Sequence, residues 1–582
     1  MRFTRVLWLI RRPLLVGLAF ALLLLFFSTI GTPTISAQAF VVNSTGDSID
    51  VNPGDGLCAT SAGVCTVRAA IMEANALPGA DTISIPAGTY TLLIATGAED
   101  SAFGDFDITG PLSITGAGSG ATLLDGGDAP IGAPPNVLAV DRLFEIHPTA
   151  GNVSISRLTL QGGWSADSGG GIYNASPGTV RLESVTVSGN FSEVEGGGIF
   201  HDAGRLIVTG TSGAPSLIAN NSARGGGGIY STGLMSASGV PTRVEVSSTT
   251  FSGNSASAGG GGIEVTLEGL LTLTNSTFTG NSTEGDGGGV SATSKSSLTV
   301  TGVIFAANSA AGDGGGLYSG TEGQATISGS TFSGNTAGDV DEGAGGGLYL
   351  GGTGSADVTG STFVGNSATG EGGAIAITNG GSVAISDSVV RDNEAGASGG
   401  GIMNGGRTVT FTRLNITHNT ATGDGGGIES QSTGNFTINT SNINSNIAAS
   451  GGGFANAGDG TLRVTGSTFW DNRALAGPGE DSGLGGGIYS LGDAAAEYTN
   501  VTIAGNLAQT RAGGLYTDAD AGIRVVNSTI AFNSSPIGSG VADEGTNLNT
   551  PVPSTSVIFR NTIVAGNIGG SQCNFALGSQ GG

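Results

Sequence analysis

The amino-acid sequence predicts an all-β protein, a right-handed parallel β-helix with three short strands per coil of about 27 residues and a small helical N-terminal cap. Three observations carry that expectation. Glycine supplies 109 of 582 residues and charged residues only 11%, against about 7% and about 25% in ordinary soluble domains. A mean hydropathy of +0.15 with 38% hydrophobic residues excludes a disordered chain, and the lack of a glycine period of three excludes collagen. Finally, four windows repeat at 27 residues without a gap, at Phe251/Asn254, Phe278/Asn281, Phe305/Asn308 and Phe332/Asn335. A repeat of that kind overrides the several domains that length alone suggests.

The chain begins with MRFTRVLWLIRR, which carries four arginines, followed by an uncharged run from Leu14 to Ile30 and the small-x-small site Ala37-Gln38-Ala39. Basic end, apolar stretch and cleavage site define residues 1–39 as a signal peptide. An uncleaved anchor is the alternative, because the apolar run approaches spanning length. The mature chain is then exported, to the cell surface or beyond, with no further membrane span.

Residues 40–80 form the predicted cap. Cys58 and Cys65 close a small disulfide loop in an oxidising compartment, since no zinc-ligand spacing accompanies them. Thr66 to Ala76 combines good helix formers, an N-cap at Thr66 and apolar Val67, Ile71 and Ala74 near one face. Such a helix would cover the open strand edges of the first coil, which otherwise invite aggregation.

Residues 81–164 read as irregular first coils, and 165–570 as the repetitive β-helix. Within SSLTVTGVIFAANSAAGDGGGLYS the three strand pieces are LTV, VIF and GGLY. Phenylalanine and isoleucine at one register build an interior stack. The structural asparagine register (Asn254, Asn281, Asn308, Asn335) falls where the chain bends, its amide able to donate and accept between coils. The glycine run allows positive φ and close backbone approach. A leucine-rich repeat fails because glycine follows the asparagine where leucine is required, and a nonapeptide calcium repeat fails on period. Altogether roughly 16–18 coils and a rod about 80 Å long are expected.

The paired registers Phe/Ile-x-x-Asn and Gly-Gly-Ala/Gly-Ile resemble the passenger repeats of chlamydial polymorphic outer-membrane proteins over roughly 160–570, with Gly372-Gly373-Ala374-Ile375 in their GGAI form. Cys65-Thr66-Val67-Arg68-Ala69-Ala70-Ile71, then Glu73-Ala74-Asn75-Ala76, resembles the CSLREA domain of bacterial secreted β-helix proteins. Thr66, Val67 and Ala69 replace that domain's serine, leucine and glutamate. The resemblance implies an exported bacterial surface or extracellular protein of a family without an assigned activity, and supports the right hand.

A single lysine, Lys295, and a net charge of −25 exclude nucleic acid as a partner. The fold class also hosts polysaccharide lyases and hydrolases, but the Asn-Thr-Asp, Asp-Asp and Gly-His-Gly hydrolase signature is absent. His147, His201 and His418 stand in other contexts, so no catalytic residue is assigned. Acids precede the glycine run at Glu195, Asp286, Asp313, Glu371 and Asp424. Asp286 and Asp313 share a register in adjacent coils, about 5 Å apart. Calcium held by Asp286, Asp313, Glu371 and Asp424 is one remedy for their repulsion, and solvation with salt screening the plainer one. Asp339, Asp341, Glu342, Glu480 and Asp481 add acids in insertions of the same turn.

The leading expectation is a non-enzymatic exported rod for adhesion or glycan contact, with polysaccharide or a neighbouring or host cell surface as partner. A carbohydrate-active enzyme on the pectin-lyase-like fold is the alternative, and an inert filament a third. Because Asn561 to Asn567 is still a full register, the tail 571–582 reads as incomplete, with Cys573 lacking a partner.

Overall fold

The computed structural model describes residues 37–93, 102–127, 141–211, 213–233, 241–320, 322–339, 342–378, 380–476, 482–491, 495–518, 522–543 and 557–575. The signal segment before residue 37, Val340, Asp341, Glu480, Asp481 and the tail beyond residue 575 lie outside them.

The chain winds as a parallel solenoid. In the coil that begins at Ser297, the first face is Ser297–Thr301, the second Ile304–Ala306 and the third Leu317–Ser319. A two-residue strand, Ser309–Ala310, adds a short ladder just after the asparagine turn. Each strand pairs in parallel with its counterpart one coil on, as Leu298 with Ala325, Phe305 with Phe332 and Leu317 with Leu348. The first face gathers 18 strands and the short ladder 15 among the described residues.

Alternation decides what is inside. In Ser297–Thr301 the burial pattern is iBeBe, so Leu298 and Val300 enter the core while Thr299 faces out. On the second face Phe251, Phe278, Phe305, Phe332 and Phe363 are fully buried, and their rings stack at centroid distances of 4.6, 5.2, 4.7 and 4.7 Å. One coil cannot bury such a ring alone; its neighbours supply both sides.

The asparagines form an unbroken ladder from Asn190 to Asn567. Asn308 is typical: its Nδ2 donates to Phe278 O at 3.0 Å and to Asn335 Oδ1 at 3.0 Å, and its own Oδ1 accepts the Asn281 backbone N–H at 3.1 Å. Every polar atom of a buried turn is thereby satisfied. One coil before Asn190, Gly163 occupies the asparagine position, and its N–H donates to Asn190 Oδ1. At the other end Gln572 Oε1 accepts both the backbone N–H and Nδ2 of Asn567, at 3.1 and 2.9 Å. Gln572, from the tail read as unfinished, thus takes the role of the next asparagine. A second buried ladder, not foreseen, runs through serine hydroxyls between the first two faces, as Ser361 N–H to Ser388 Oγ and Ser441 N–H to Ser467 Oγ.

The glycine run follows from crowding. A Cβ on Gly315 would lie 2.2 Å from Thr336 O, and Gly314 sits at φ +67°.

Helix α1 (Val67–Ala76) covers the first coil, with Thr66 Oγ1 accepting the Ala69 N–H. Its polar residues do as much as its apolar face. Arg68, 1% exposed, pairs with Asp47 at 2.7 Å and donates to the carbonyls of Gly104 and Asp105, over the Phe106 ring. Glu73, fully buried, accepts the N–H groups of Gly54 and Gly56. Cys58 and Cys65 are bonded to each other. Gln38 and Ala39, at the end of the predicted signal segment, already lie on the first face beside Thr82.

Candidate functional site

The third face and the turn before it carry most of the chemistry. The middle residue of each third-face strand points outward, which aligns Asp107, Glu145, Tyr173, Phe200, Tyr230, Glu264, Ser291, Tyr318 and Tyr349 in successive coils. Tyr173, Phe200 and Tyr230 stack nearly flat at 5.3 and 5.6 Å, as do Tyr318 and Tyr349 at 5.0 Å. Their ring faces cover one another, leaving edges and hydroxyls for a ligand. Burial pushes the hydroxyls of Tyr230 and Tyr318 up to about 12, so they stay donors at neutral pH.

Asp107, Phe200 and Ser291 in this row are themselves largely covered, and toward the C-terminus the row becomes apolar as well as buried. Met403, Ala455, Tyr489, Tyr516 and Ala542 are buried, and the last four pack with Leu484 and Ala512 in an apolar cluster separate from the main core.

The predicted ridge runs beside this strip. Asp286 Oδ1 accepts the Asp313 N–H at 2.8 Å, and Asp313 Oδ1 accepts the Ala344 N–H at 2.8 Å. Each carboxylate therefore meets a backbone amide of the next coil, which offsets the repulsion that motivated a metal. Asp424 N–H donates to Ser398 Oγ at 3.1 Å, and Glu371 Oε1 accepts Gln431 Nε2 at 3.1 Å. Burial raises the pKa of Asp286, Asp313, Glu371 and Asp424. Among the described residues no three acidic, histidine or cysteine side chains gather as a metal group.

Two carboxylates beside the ridge were not singled out from the sequence. The ridge loses its acids at Gly225 and Gly259, which lie between Glu195 and Asp286 in the ladder. Glu264 leans into that gap: a Cβ on Gly225 would meet its Oε2 at 2.5 Å. Burial, then the charge of Glu195, pushes Glu264 up to about 7. Glu429 is placed similarly beside Ser398, where the ridge again lacks an acid, and burial pushes it up to about 7. The sequence signal was the broken register itself.

At the N-terminal end of the strip lies a denser polar group. His147 Nε2 meets Asp107 Oδ1 at 2.6 Å and Glu145 at 3.9 Å. Arg142 pairs with Glu145 at 2.6 Å, stands 3.6 Å from Asp105 and lies over the Tyr173 ring. Burial, then Asp141 and Asp107, pushes Asp105 up to about 8. The other histidines stand apart. His201 is fully buried, held low at about 4 by that burial and hydrogen-bonded to Asn174, while His418 contacts Thr417.

A profile of the right-handed β-helix region matches residues 144–363 and 315–495, more than half of the chain. The chain therefore belongs to the right-handed β-helix family. No curated protein matches it in sequence. Among solved structures it is similar to the A-module of mannuronan C-5 epimerase AlgE6 from Azotobacter vinelandii, at 13% identity over 85% of this chain and 91% of that one. The TM-score is 0.20, too low to bear on function.

Proposed function

We propose that this is an exported β-helix rod whose third face contacts glycans without turning them over. The single observation that carries the reading is the outward strip from Tyr173 to Tyr349, where aromatic edges, hydroxyls and carboxylates recur in every coil except that of the buried Ser291. Coils rise about 4.8 Å each, close to one sugar of an extended β-linked chain, so a linear glycan laid along the axis would meet a hydroxyl or carboxylate at Tyr173, Tyr230, Glu264, Tyr318 and Tyr349 and an aromatic edge at Phe200. Export is supported by the basic-apolar leader, the Cys58–Cys65 bond and the resemblance to CSLREA-type secreted proteins. Adhesion to a host or neighbouring cell is the role such a surface would serve. With 45 acids against 20 bases, the rod disfavours uronate polymers.

The test is a glycan array probed with residues 40–582, paired with assays for reducing ends and unsaturated sugar products. Binding of neutral or amino-containing chains without product supports the reading; uniform absence of binding defeats it.

One observation favours the enzyme reading, the Asp107–His147 pair beside Glu145, Arg142 and Asp105. Here burial holds Asp105 up at about 8, so a protonated acid stands beside a histidine–carboxylate pair, a grouping that acid–base catalysis can use. Product formation abolished by His147→Ala would establish it.

A further inference from the structure

We infer that the third face holds two ammonium-binding notches, at Glu264 and Glu429, and that their ligand is a linear polymer of amino sugars. The inference rests on the glycan-contact reading and names the glycan class.

The notch at Glu429 is the sharper one. Its side chain is 6% exposed, with Oε1 accepting Gln431 Nε2 at 3.2 Å and Oε2 buried without a well-formed hydrogen bond, Ser398 lying close by. The same Gln431 Nε2 reaches Glu371 Oε1, so its two N–H groups serve two acids. Ser450, one coil beyond Asp424 on the ridge, is 1% exposed and its hydroxyl is also unpartnered. None of the ion pairs among the described residues involves Glu371, Asp424 or Glu429. A buried acceptor of this kind is costly until a donor arrives. The Glu264 notch repeats the plan: Oε2 is again buried and unpartnered, with Glu195 and Asp286 on either side along the ridge. There Arg224, a nearby cation, is engaged with Glu195 at 3.0 Å.

The chemistry selects the ligand. A neutral hydroxyl brings one donor and no charge, and the acids do not converge as a metal needs. An ammonium brings three donors and one positive charge in the volume of a methyl group. The carboxyls, both held partly protonated near neutrality, would ionise as it docks. The two notches lie six coils apart along one straight row, about 29 Å at the rise per strand. Tyr318 and Tyr349 lie between them. A sugar chain with an amine on each residue matches that straight row and can fill both notches at once, which raises its affinity through effective concentration.

The experiment titrates the protein with a glucosamine oligomer long enough to reach both notches, a short one, its fully N-acetylated counterpart, an oligolysine and calcium chloride. The long amine oligomer should bind at least tenfold tighter than the short and than the N-acetylated chain. Glu429→Gln or Glu264→Gln should erase the advantage of length, and the double variant should lose amine binding while its melting curve shows a folded rod. Equal binding of the N-acetylated chain, insensitive to both substitutions, overturns the notches and leaves the glycan reading standing. Substitution-sensitive binding of oligolysine alone assigns them to a basic protein and refutes the glycan reading with them. Stabilisation by calcium alone, lost in the double variant, replaces the ammonium with a metal.

Discussion

Asn308 and Asp313 stand five residues apart in one coil, and each sends a side-chain oxygen to a backbone N–H of an adjacent coil, toward opposite ends of the rod. The asparagine ladder is continuous among the described residues: both amide atoms are used, the asparagines are buried, and it runs from Asn190 to Asn567, which Gln572 meets. The carboxylate ridge is partial. It accepts but cannot donate, it is interrupted at Gly225 and Gly259, and displaced acids such as Glu264 lean into the breaks. The difference separates what holds the rod together from what the rod presents. An amide can be both ends of a hydrogen bond and so repeats indefinitely; a carboxylate carries charge that burial penalises, so its repetition must be relieved by gaps, protons or ligands.

The largest effect should come from breaking the continuous ladder. Asn308→Ala removes the acceptor of the Asn281 N–H and Nδ2 and the donor to Phe278 O. With several buried groups left unpaired at ~1–3 kcal/mol each, the loss should reach about 3–6 kcal/mol in denaturant unfolding followed by circular dichroism. Asn308→Asp should fare no better, because a carboxylate cannot donate. Stability of either variant equal to that of the parent would show that the ladder is decoration.

The gap-filling acids sharpen the comparison through pH. Glu264 and Glu429 both titrate at about 7 in the folded chain, above the ordinary range of an unfolded glutamate. Between those two values the folded state binds more protons than the unfolded one, so these groups make stability fall as pH rises from the ordinary glutamate range to about 7. Glu264→Gln/Glu429→Gln should flatten that decline in melting temperature and leave the doubly substituted rod the more stable one at neutral pH. A decline of unchanged slope would place the titration elsewhere.

How much of this was legible in the sequence follows the same division. Phe251, Phe278, Phe305 and Phe332 with their asparagines recur at a fixed spacing because backbone pairing forces equivalent residues into register, so coil length, core and turn could be read directly. The Thr66 cap and the Cys58–Cys65 bond were legible for a similar reason, being local in the chain. Glu264, Glu429 and Gln572 were not. Their roles depend on which coil they fold beside: Glu264 matters through Gly225 of the coil before it. Arg68 and Glu73 stood in the recognised motif, yet their partners, the carbonyls of Gly104 and Asp105 and the N–H groups of Gly54 and Gly56, come from other segments.

The smallest effect belongs to the ridge itself, and there the direction matters more than the size. Asp313→Asn keeps an oxygen for the Ala344 N–H while removing a charge that burial and Asp286 both disfavour, so stability at neutral pH should stay level or rise by less than about 1 kcal/mol. Asp313→Ala deletes that acceptor and should cost about 1 kcal/mol instead. Adding millimolar calcium separates the two accounts of the ridge. If the carboxylates serve the backbone, the melting temperature of the parent and of Asp286→Asn/Asp313→Asn should respond alike. If they hold metal, the parent should gain stability that the double variant lacks. Ordering of the three proteins as Asn at or above parent above Ala, unchanged by calcium, would mark the ridge as a weaker copy of the asparagine ladder, built from the residue that also leaves a charge on the surface.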